Sequence, residues 1–387
     1  MQEAGEVLRV LQIEHSMEGF VKLDAARQEL GIGAQECVVG LETAHNLLVD
    51  YLWDQGYSQI YVLPPHAVKS AQGRFRQSGA KDDPWDARLI ADILRTDQKR
   101  YSPWQPDQVL TRQIRAEVRF AGQLSREVVR SSNRLRSILL RYYPAATQTF
   151  SSLDGQVSLA FLQAYPTAKQ AEALSFDELK AFLRTHHHTQ PRSWPRIYAR
   201  LHSNAPQPNS AVEATFMPLA LAQARILEQL VKARSEGLAR LEKLYDQHPD
   251  QKIYASLPMV GGFLGPALLA KLGDDRERFP TPAVLQAVAG TCPATNRSGK
   301  HSHVYFRQAC DHEFRHIVQQ WARLTLTSSP WAVAYYTTVR PHCHSDSDAI
   351  RRLANRWLEI LWRLWLDKKP YDEALHLRQH ALRSKAR

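Results

Sequence analysis

Cys37-Val38-Val39-Gly40-Leu41-Glu42 is a short apolar run that ends on an acid, and Asn46-Leu47-Leu48-Val49-Asp50-Tyr51-Leu52 follows it at helical spacing. An apolar run this short predicts a buried strand, closed by Glu42. Gly56 then ends the helix. A second run, Ile60-Tyr61-Val62-Leu63, stops at Pro64-Pro65, and a further helix is expected from near Pro84, carrying Ala87, Leu89, Ile90, Ile93 and Leu94. Strand, helix, strand, helix is α/β order, and it assigns residues 1–100 to one α/β domain.

Beyond that domain the pattern changes. From about residue 105 to 141, Ile114, Val118, Ala121, Ser125, Val128, Ser132, Leu135 and Leu139 alternate by four and three, the seam of a coiled coil. Arg112, Arg115, Arg119, Arg126, Arg130 and Arg134 run along one side of the same helix, and residues 101–145 hold eight Arg against three acids. Residues 144–215 collect Pro144, Pro166, His186-His187-His188, Pro191, Pro195 and a Ser-Asn-Ala-Pro-Gln-Pro-Asn-Ser stretch, which reads as a flexible join. A second long helix is expected over about 212–246. The segments are therefore 101–250, helical with a coiled coil and a join, and 251–387, helical with Trp357, Trp362 and Trp365 in its core.

Composition narrows the function classes. The 387 residues include 50 Lys plus Arg against 39 Asp plus Glu, a formal charge of +11 that favours a polyanionic partner. No apolar run spans a bilayer and no export signal opens the sequence, so a cytoplasmic protein with no membrane partner is expected. Cys37, Cys292, Cys310 and Cys343 stand singly, which suits reduced thiols.

Three acids fall at element ends, where α/β sites are built: Glu42 after the first strand, and Asp83 and Asp86 three apart at a helix start. Carboxylates so placed suit Mg²⁺, the ion of phosphodiester chemistry. Asp83-Pro84-Trp85-Asp86 is equally an N-cap, an N1 proline and an N3 acid, and the two readings are compatible. Pro258-Met259-Val260-Gly261-Gly262 reads as a helix-hairpin-helix turn, whose Gly261 and Gly262 would bring backbone NH groups to a phosphate, or as an ordinary interhelical turn. Ser298 lies in a polar loop beside Gly299, with Arg297 and Lys300 as cationic neighbours that would stabilise a phosphoryl transition state; Ser-Gly is also a common turn. His301, His303, His312 and His316 with Cys310 offer no closed four-ligand zinc spacing. The arginine stripe is either a solvated helix flank or a set of phosphate contacts, and its shortage of acids favours the second.

In order, Val39-Gly40-Leu41-Glu42-Thr43, Ser78-Gly79-Ala80-Lys81-Asp82-Asp83-Pro84-Trp85-Asp86-Ala87, Leu257-Pro258-Met259-Val260-Gly261 and Gly290-Thr291-Cys292-Pro293 with Ser298-Gly299 resemble the DEDD-type RuvC-like serine transposases of insertion sequences, the family of the Piv-like invertases and bridge-RNA-guided recombinases. The resemblance covers roughly residues 5–330. It implies an RNase H-like α/β domain, a coiled-coil dimerisation segment and a mainly helical C-terminal transposase domain. It also implies Mg²⁺-dependent cutting and rejoining of DNA, with Glu42, Asp83 and Asp86 as metal-binding acids and Ser298 as the nucleophile that links covalently to DNA. Implied partners are the element ends and target DNA, a structured guide RNA in some members, and further copies of the chain as dimer or tetramer. The family's first acid sits on a Gly-Ile-Asp type strand that has no counterpart before Glu42, and Asp24 falls in an apparent helix. The first strand is therefore expected to be missing, through a late-assigned start or degeneration. Two other readings accompany this one: a RuvC-type structure-selective nuclease using water, and an inactive nucleic-acid-binding remnant of a transposase.

Overall fold

The structure is a computed structural model that describes residues 1, 5–44, 47–72, 82–203, 206, 209–299, 301–375 and 377–378. The chain divides into two compact units, residues 1–106 and 107–387. In the first, α1 (Met17–Glu29) precedes β1 (Val38–Leu41), α2 (Leu47–Asp54), β2 (Gln59–Val62), α3 (Pro65–Gln72) and α4 (Asp83–Asp97). β1 and β2 pair in parallel with Val38 opposite Gln59 and Leu41 opposite Val62. The α/β order expected from the sequence is thus present, with two strands in this sheet among the described residues.

Alternation along the strands separates two apolar layers, as period-two side chains require. Tyr61 and Leu63 pack with Val68, Ala71, Leu89, Ile90, Ile93 and Leu94 of α3 and α4, whereas Ile60 packs with Leu52 and Tyr57, and Val39 and Leu41 line that second layer. One correction concerns the start of α4: Asp82 holds the extended N-cap position without a side-chain cap bond, so Asp83 is the first helical residue and Pro84 follows it in the first turn. Asp83 therefore does not cap the helix.

α1 is fastened through Asp24. Its carboxylate accepts hydrogen bonds from Arg27 Nε at 3.0 Å, the Tyr57 hydroxyl at 2.9 Å and Gln28 Nε2 at 2.9 Å. With its oxygens so occupied inside the unit, Asp24 is not available to a metal, in line with its placement on a helix.

The second unit opens with α5 (Val109–Tyr142), passes through α6 (Ala146–Thr149), α7 (Gln156–Ala164), α8 (Ala168–Glu172), α9 (Phe176–Thr185) and α10 (Trp194–Leu201), and returns along α11 (Ser210–Asp246). The stretch read as a flexible join is therefore largely helical, and it has its own core around Phe161, Leu179, Leu183, Trp194 and Ile197. α5 and α11 are antiparallel: Glu117 pairs with Arg240 at 2.9 Å, Ser131 accepts from Gln223 at 2.7 Å, and Arg141 lies 5.2 Å over Phe216. The α5 seam buries Ile114, Val118, Ala121, Leu124, Val128, Ser131, Leu135 and Leu139, so Leu124 and Ser131 replace the expected Ser125 and Ser132. The coiled-coil surface predicted for dimerisation is filled by α11 of the same chain.

The remainder comprises α12 (Gln251–Ala255), α13 (Gly261–Leu272), α14 (Pro282–Val288), a hairpin of β3 (Ala294–Ser298) and β4 (His301–Tyr305), then α15 (His312–Thr325), α16 (Pro330–Val339) and α17 (Asp346–Asp367). Its core includes Trp321, Trp357 and Trp365, all fully buried, and also takes in Ile114 and Val118 of α5, so the boundary drawn at residue 250 lies within a shared core. Trp362 is half-buried and donates to the Phe279 carbonyl at 2.7 Å. Buried Asp107 ties the two ends of this core together, accepting from Arg115 at 2.5 Å, Arg278 at 3.2 Å and the Asp274 backbone at 2.9 Å. Among the described residues no helix is long and apolar enough to cross a membrane.

Burial and the hydrogen bond to Asp24 push the Tyr57 hydroxyl up to about 12. Because that lies above the unfolded value of about 10, its contribution is complete below pH ~10 and is lost as pH rises towards 12. The stability advantage of the native protein over Tyr57→Phe is predicted to hold at neutral pH and to shrink over that alkaline window, as read by denaturant unfolding.

Candidate functional site

The three sequence-selected acids of the first unit are set by how α4 lies on the sheet. A Cβ added to Gly40 would stand 2.4 Å from Ile90 Cγ2 and 2.7 Å from Leu94 Cδ1, so the helix rests directly on β1. Further along α4, Gln98 donates to the Gln59 side chain at 3.2 Å and to the Tyr61 hydroxyl at 2.9 Å, at the beginning of β2. The helix therefore runs antiparallel to the strands, and its N-terminus points to their carboxyl ends. Asp86 is one turn, about 6 Å, before Ile90, while Glu42 is two residues, about 7 Å, beyond Gly40. Both acids advance in the same direction from the same contact.

Their environments differ. Glu42 and Asp83 are exposed, whereas Asp86 is half-buried and its Oδ1 is shielded from solvent without a hydrogen-bond partner. A carboxylate oxygen in that condition lacks a donor or a cation. Among the described residues no group of three or more His, Cys, Asp or Glu stands close enough to hold a metal ion, so Glu42, Asp83 and Asp86 do not converge into a three-acid cluster. Lys81 and the residues before it in that loop lie outside the described residues.

Ser298 is placed differently from the loop expected of it. It is the last residue of β3, paired with His301, and Gly299 follows it in a turn at a φ of +56° that favours glycine. Lys300 lies outside the described residues. Thr295, Asn296, Arg297 and Ser298 are exposed on one strand, and His301, His303, Val304 and Tyr305 on the other. The hairpin is thus a ribbon open on both faces, and its terminal serine hydroxyl is accessible to a large substrate.

The helix N-terminus called for phosphate binding is open as well. Met259 and Gly261 have positive φ, Gly261 and Gly262 are exposed with nothing within 4 Å of an added Cβ, and Val260 at the N-cap of α13 offers no side-chain acceptor. The Trp321 indole holds this turn by donating to the Pro258 carbonyl at 2.8 Å.

The arginine stripe resolves into two kinds of residue. Arg115 is structural: it donates to Asp107 and to the Ala270 carbonyl at 3.0 Å, and so is withdrawn from the set of phosphate contacts. Arg112, Arg119, Arg126, Arg130 and Arg134 are exposed, with Arg130 paired to Glu127 at 2.5 Å. Among the described residues Arg119, Arg126 and Arg134 have no ion-pair partner. Among the described residues the histidine set gathers no metal site: Cys310 approaches His312 at 3.8 Å, and burial pushes the Cys310 thiol up against the pull of Arg315 and Arg307.

The sequence reading missed Arg307 and Arg315 at the root of the ribbon. Arg315 is buried between Phe314 and Ile317 on the packed face of α15. A charge that interrupts an apolar helix face is the signal that marks it.

Comparison with known proteins bears on the same segments. Residues 1–144 match a family model described as transposase, of the DEDD IS110 type, and residues 251–337 match the model described as transposase, IS116/IS110/IS902 family. The mini-circle putative transposase for IS117 of Streptomyces coelicolor is 30% identical over 96% of this chain and 92% of its own length. An uncharacterized 42 kDa protein of insertion element IS900 from Mycobacterium paratuberculosis is 26% identical over 85% of this chain and 82% of its own. The IS116 uncharacterized 44.8 kDa protein of Streptomyces clavuligerus is 25% identical over 87% and 84% respectively.

Since Ile90 and Leu94 occupy the space of a Gly40 side chain, Gly40→Ala is predicted to push α4 off β1 and cost about 1–3 kcal/mol. Thermal melting of the purified protein checks this; an unchanged Tm would show that α4 does not set the level of Asp86.

Proposed function

Because the chain belongs to the IS116/IS110/IS902 family of transposases, we propose that it cuts and rejoins DNA through Ser298, with the first unit contributing carboxylates for a divalent ion. The observation that carries this reading is the Ser298 hydroxyl, exposed at the tip of a two-faced ribbon and flanked by exposed Arg297. In the transfer step the Ser298 Oγ–phosphorus bond forms as one backbone P–O bond breaks; the serine proton leaves and the departing sugar oxygen takes one up. Reversal with a second DNA hydroxyl frees the serine and joins the new strand. Arg297 would stabilise the charge that develops on the transferring phosphoryl group, a role for which the sequence also offers Lys300.

The unpartnered Asp86 oxygen and Glu42, at the same end of the sheet with Asp83 nearby, fit a hard cation such as Mg²⁺. Bound there, the ion would neutralise phosphoryl oxygens and activate an attacking or departing oxygen. The chain itself does the holding: Gly40 seats α4, and α4 carries Asp83 and Asp86 to the strand ends. On the second unit, Arg112, Arg119, Arg126 and Arg130 along α5, and the Gly261 and Gly262 amides at the start of α13, are suited to the sugar-phosphate backbone of element ends and target. The same contacts suit a folded RNA, the further partner the resemblance implies. With α11 covering the α5 seam, assembly into dimers or tetramers would use another surface. Acting on DNA, as a member of a family with bacterial relatives, the protein would work in the cytoplasm.

Incubating the chain with element-end DNA and Mg²⁺ is predicted to give a denaturation-resistant protein–DNA link, and Ser298→Ala to abolish it. Cleavage that persists in Ser298→Ala but stops in Asp86→Asn would instead establish the water-using nuclease.

A further inference from the structure

Two guanidinium groups at the root of the ribbon lack a counter-charge. Arg315 is 9% exposed, its Nη2 donates to the Arg307 carbonyl, and its plane lies 4.1 Å over the Phe306 ring. Gly290, at φ +62°, backs it so closely that a Cβ there would stand 2.4 Å from Nη2. Its Nε is buried with no hydrogen-bond partner, and so is the Nε of Arg307, whose Nη2 reaches only the Pro293 carbonyl at 3.4 Å.

The nearby acids are committed elsewhere. Lys271 takes Asp311 at 2.8 Å and Glu313 at 2.7 Å, and Asp348 pairs with Arg351 and Arg352. Among the described residues neither Arg307 nor Arg315 has a carboxylate within ion-pair distance. A cation this deeply buried is costly unless an anion completes it. Two guanidinium forks with donors to spare match the oxygens of a phosphate better than they match a single carboxylate.

We propose that Arg307 and Arg315 form a phosphate subsite for the DNA strand engaged by the ribbon, an inference that rests on reading Ser298 as the residue that meets DNA. From the root pair Ala294–Tyr305 to the tip pair Ser298–His301 the ribbon advances four residues, about 14 Å at ~3.4 Å per residue. Duplex DNA rises ~3.4 Å per nucleotide, so the subsite holds a phosphate about four nucleotides from the one that Ser298 attacks. These are positioning residues: they fix the register of the strand and take no part in bond making. The Gly290-Thr291 turn serves the subsite by leaving room for the Arg315 guanidinium.

Fluorescence anisotropy of the full chain with a double-stranded DNA oligonucleotide, titrated across KCl concentrations, tests this. Arg307→Gln and Arg315→Gln are each predicted to reduce the slope of log K against log salt by about one, and the double variant by about two. Arg315→Lys should retain most of the slope. Should Arg315→Gln unfold, Arg307→Gln, which is half-buried and closes no core, carries the test. An unchanged slope in a folded Arg307→Gln protein overturns the subsite, as does a loss confined to an RNA duplex. The salt slope does not require strand cleavage, so absence of a covalent link in the native protein would count against Ser298 and leave this measurement standing.

Discussion

The close approach of α4 to β1 at Gly40 is the constraint on which the candidate site depends. Were any side chain present at residue 40, Ile90 and Leu94 could not rest on the strand, and the helix carrying Asp83 and Asp86 would rise from the sheet. The absence of one Cβ thus converts apolar packing into the placement of acids. Packing forces that have no chemistry of their own hold a carboxylate whose Oδ1 is buried without a protein donor. Such an oxygen is expensive in a folded protein, and a cation is the partner that best offsets the expense.

The second unit applies the same economy to a larger helical body. Its long helices close against each other inside one chain, and Asp107 gathers Arg115, Arg278 and the Asp274 amide where α5 begins and α13 ends. Burial works against the Asp274 carboxylate, yet hydrogen bonds from His248, the Gln108 amide and Thr111 hold it below the usual range. The three fully buried tryptophans give their indole N–H to a backbone or side-chain oxygen: Trp321 to Pro258, Trp357 to Thr325 and Trp365 to Gly273. The turn before α13, proposed to meet nucleic acid, is thereby fixed from behind by Trp321, and Gly261 and Gly262 stay exposed in front.

Much of this was legible in the residues. The two strands and intervening helices of the first unit follow from short apolar runs, and α11 ends where its periodicity ends. What escaped did so for identifiable reasons. Pro191 and Pro195 read as loop signals, but Pro195 sits in the first turn of α10; Ser175, which the reading passed over, forms a capping box with Glu178 that begins α9. Assigning Ser125 and Ser132 to the α5 seam imposed a strict heptad on a helix of 3.6 residues per turn. Ser298 read as a loop because a two-residue reversal between short polar strands carries little hydrophobic alternation. Arg115 belonged to the stripe by spacing alone, and only its buried partner Asp107, far from any periodic signal, reveals that it is committed. No local pattern could show that Asp86 and Glu42 share an end of the sheet, since that follows from the direction of a helix over a strand.

In the proposed reaction the carboxyl end of the small parallel sheet would hold the divalent ion. Loading the protein with Fe²⁺ in place of Mg²⁺ and adding ascorbate and peroxide produces hydroxyl radicals at the bound ion, which cut the nearby polypeptide. Mass spectrometry of the fragments should show cuts clustered around residues 42 and 86 that excess Mg²⁺ suppresses. Cuts confined to other segments, or the same pattern in Asp86→Asn, would contradict the account.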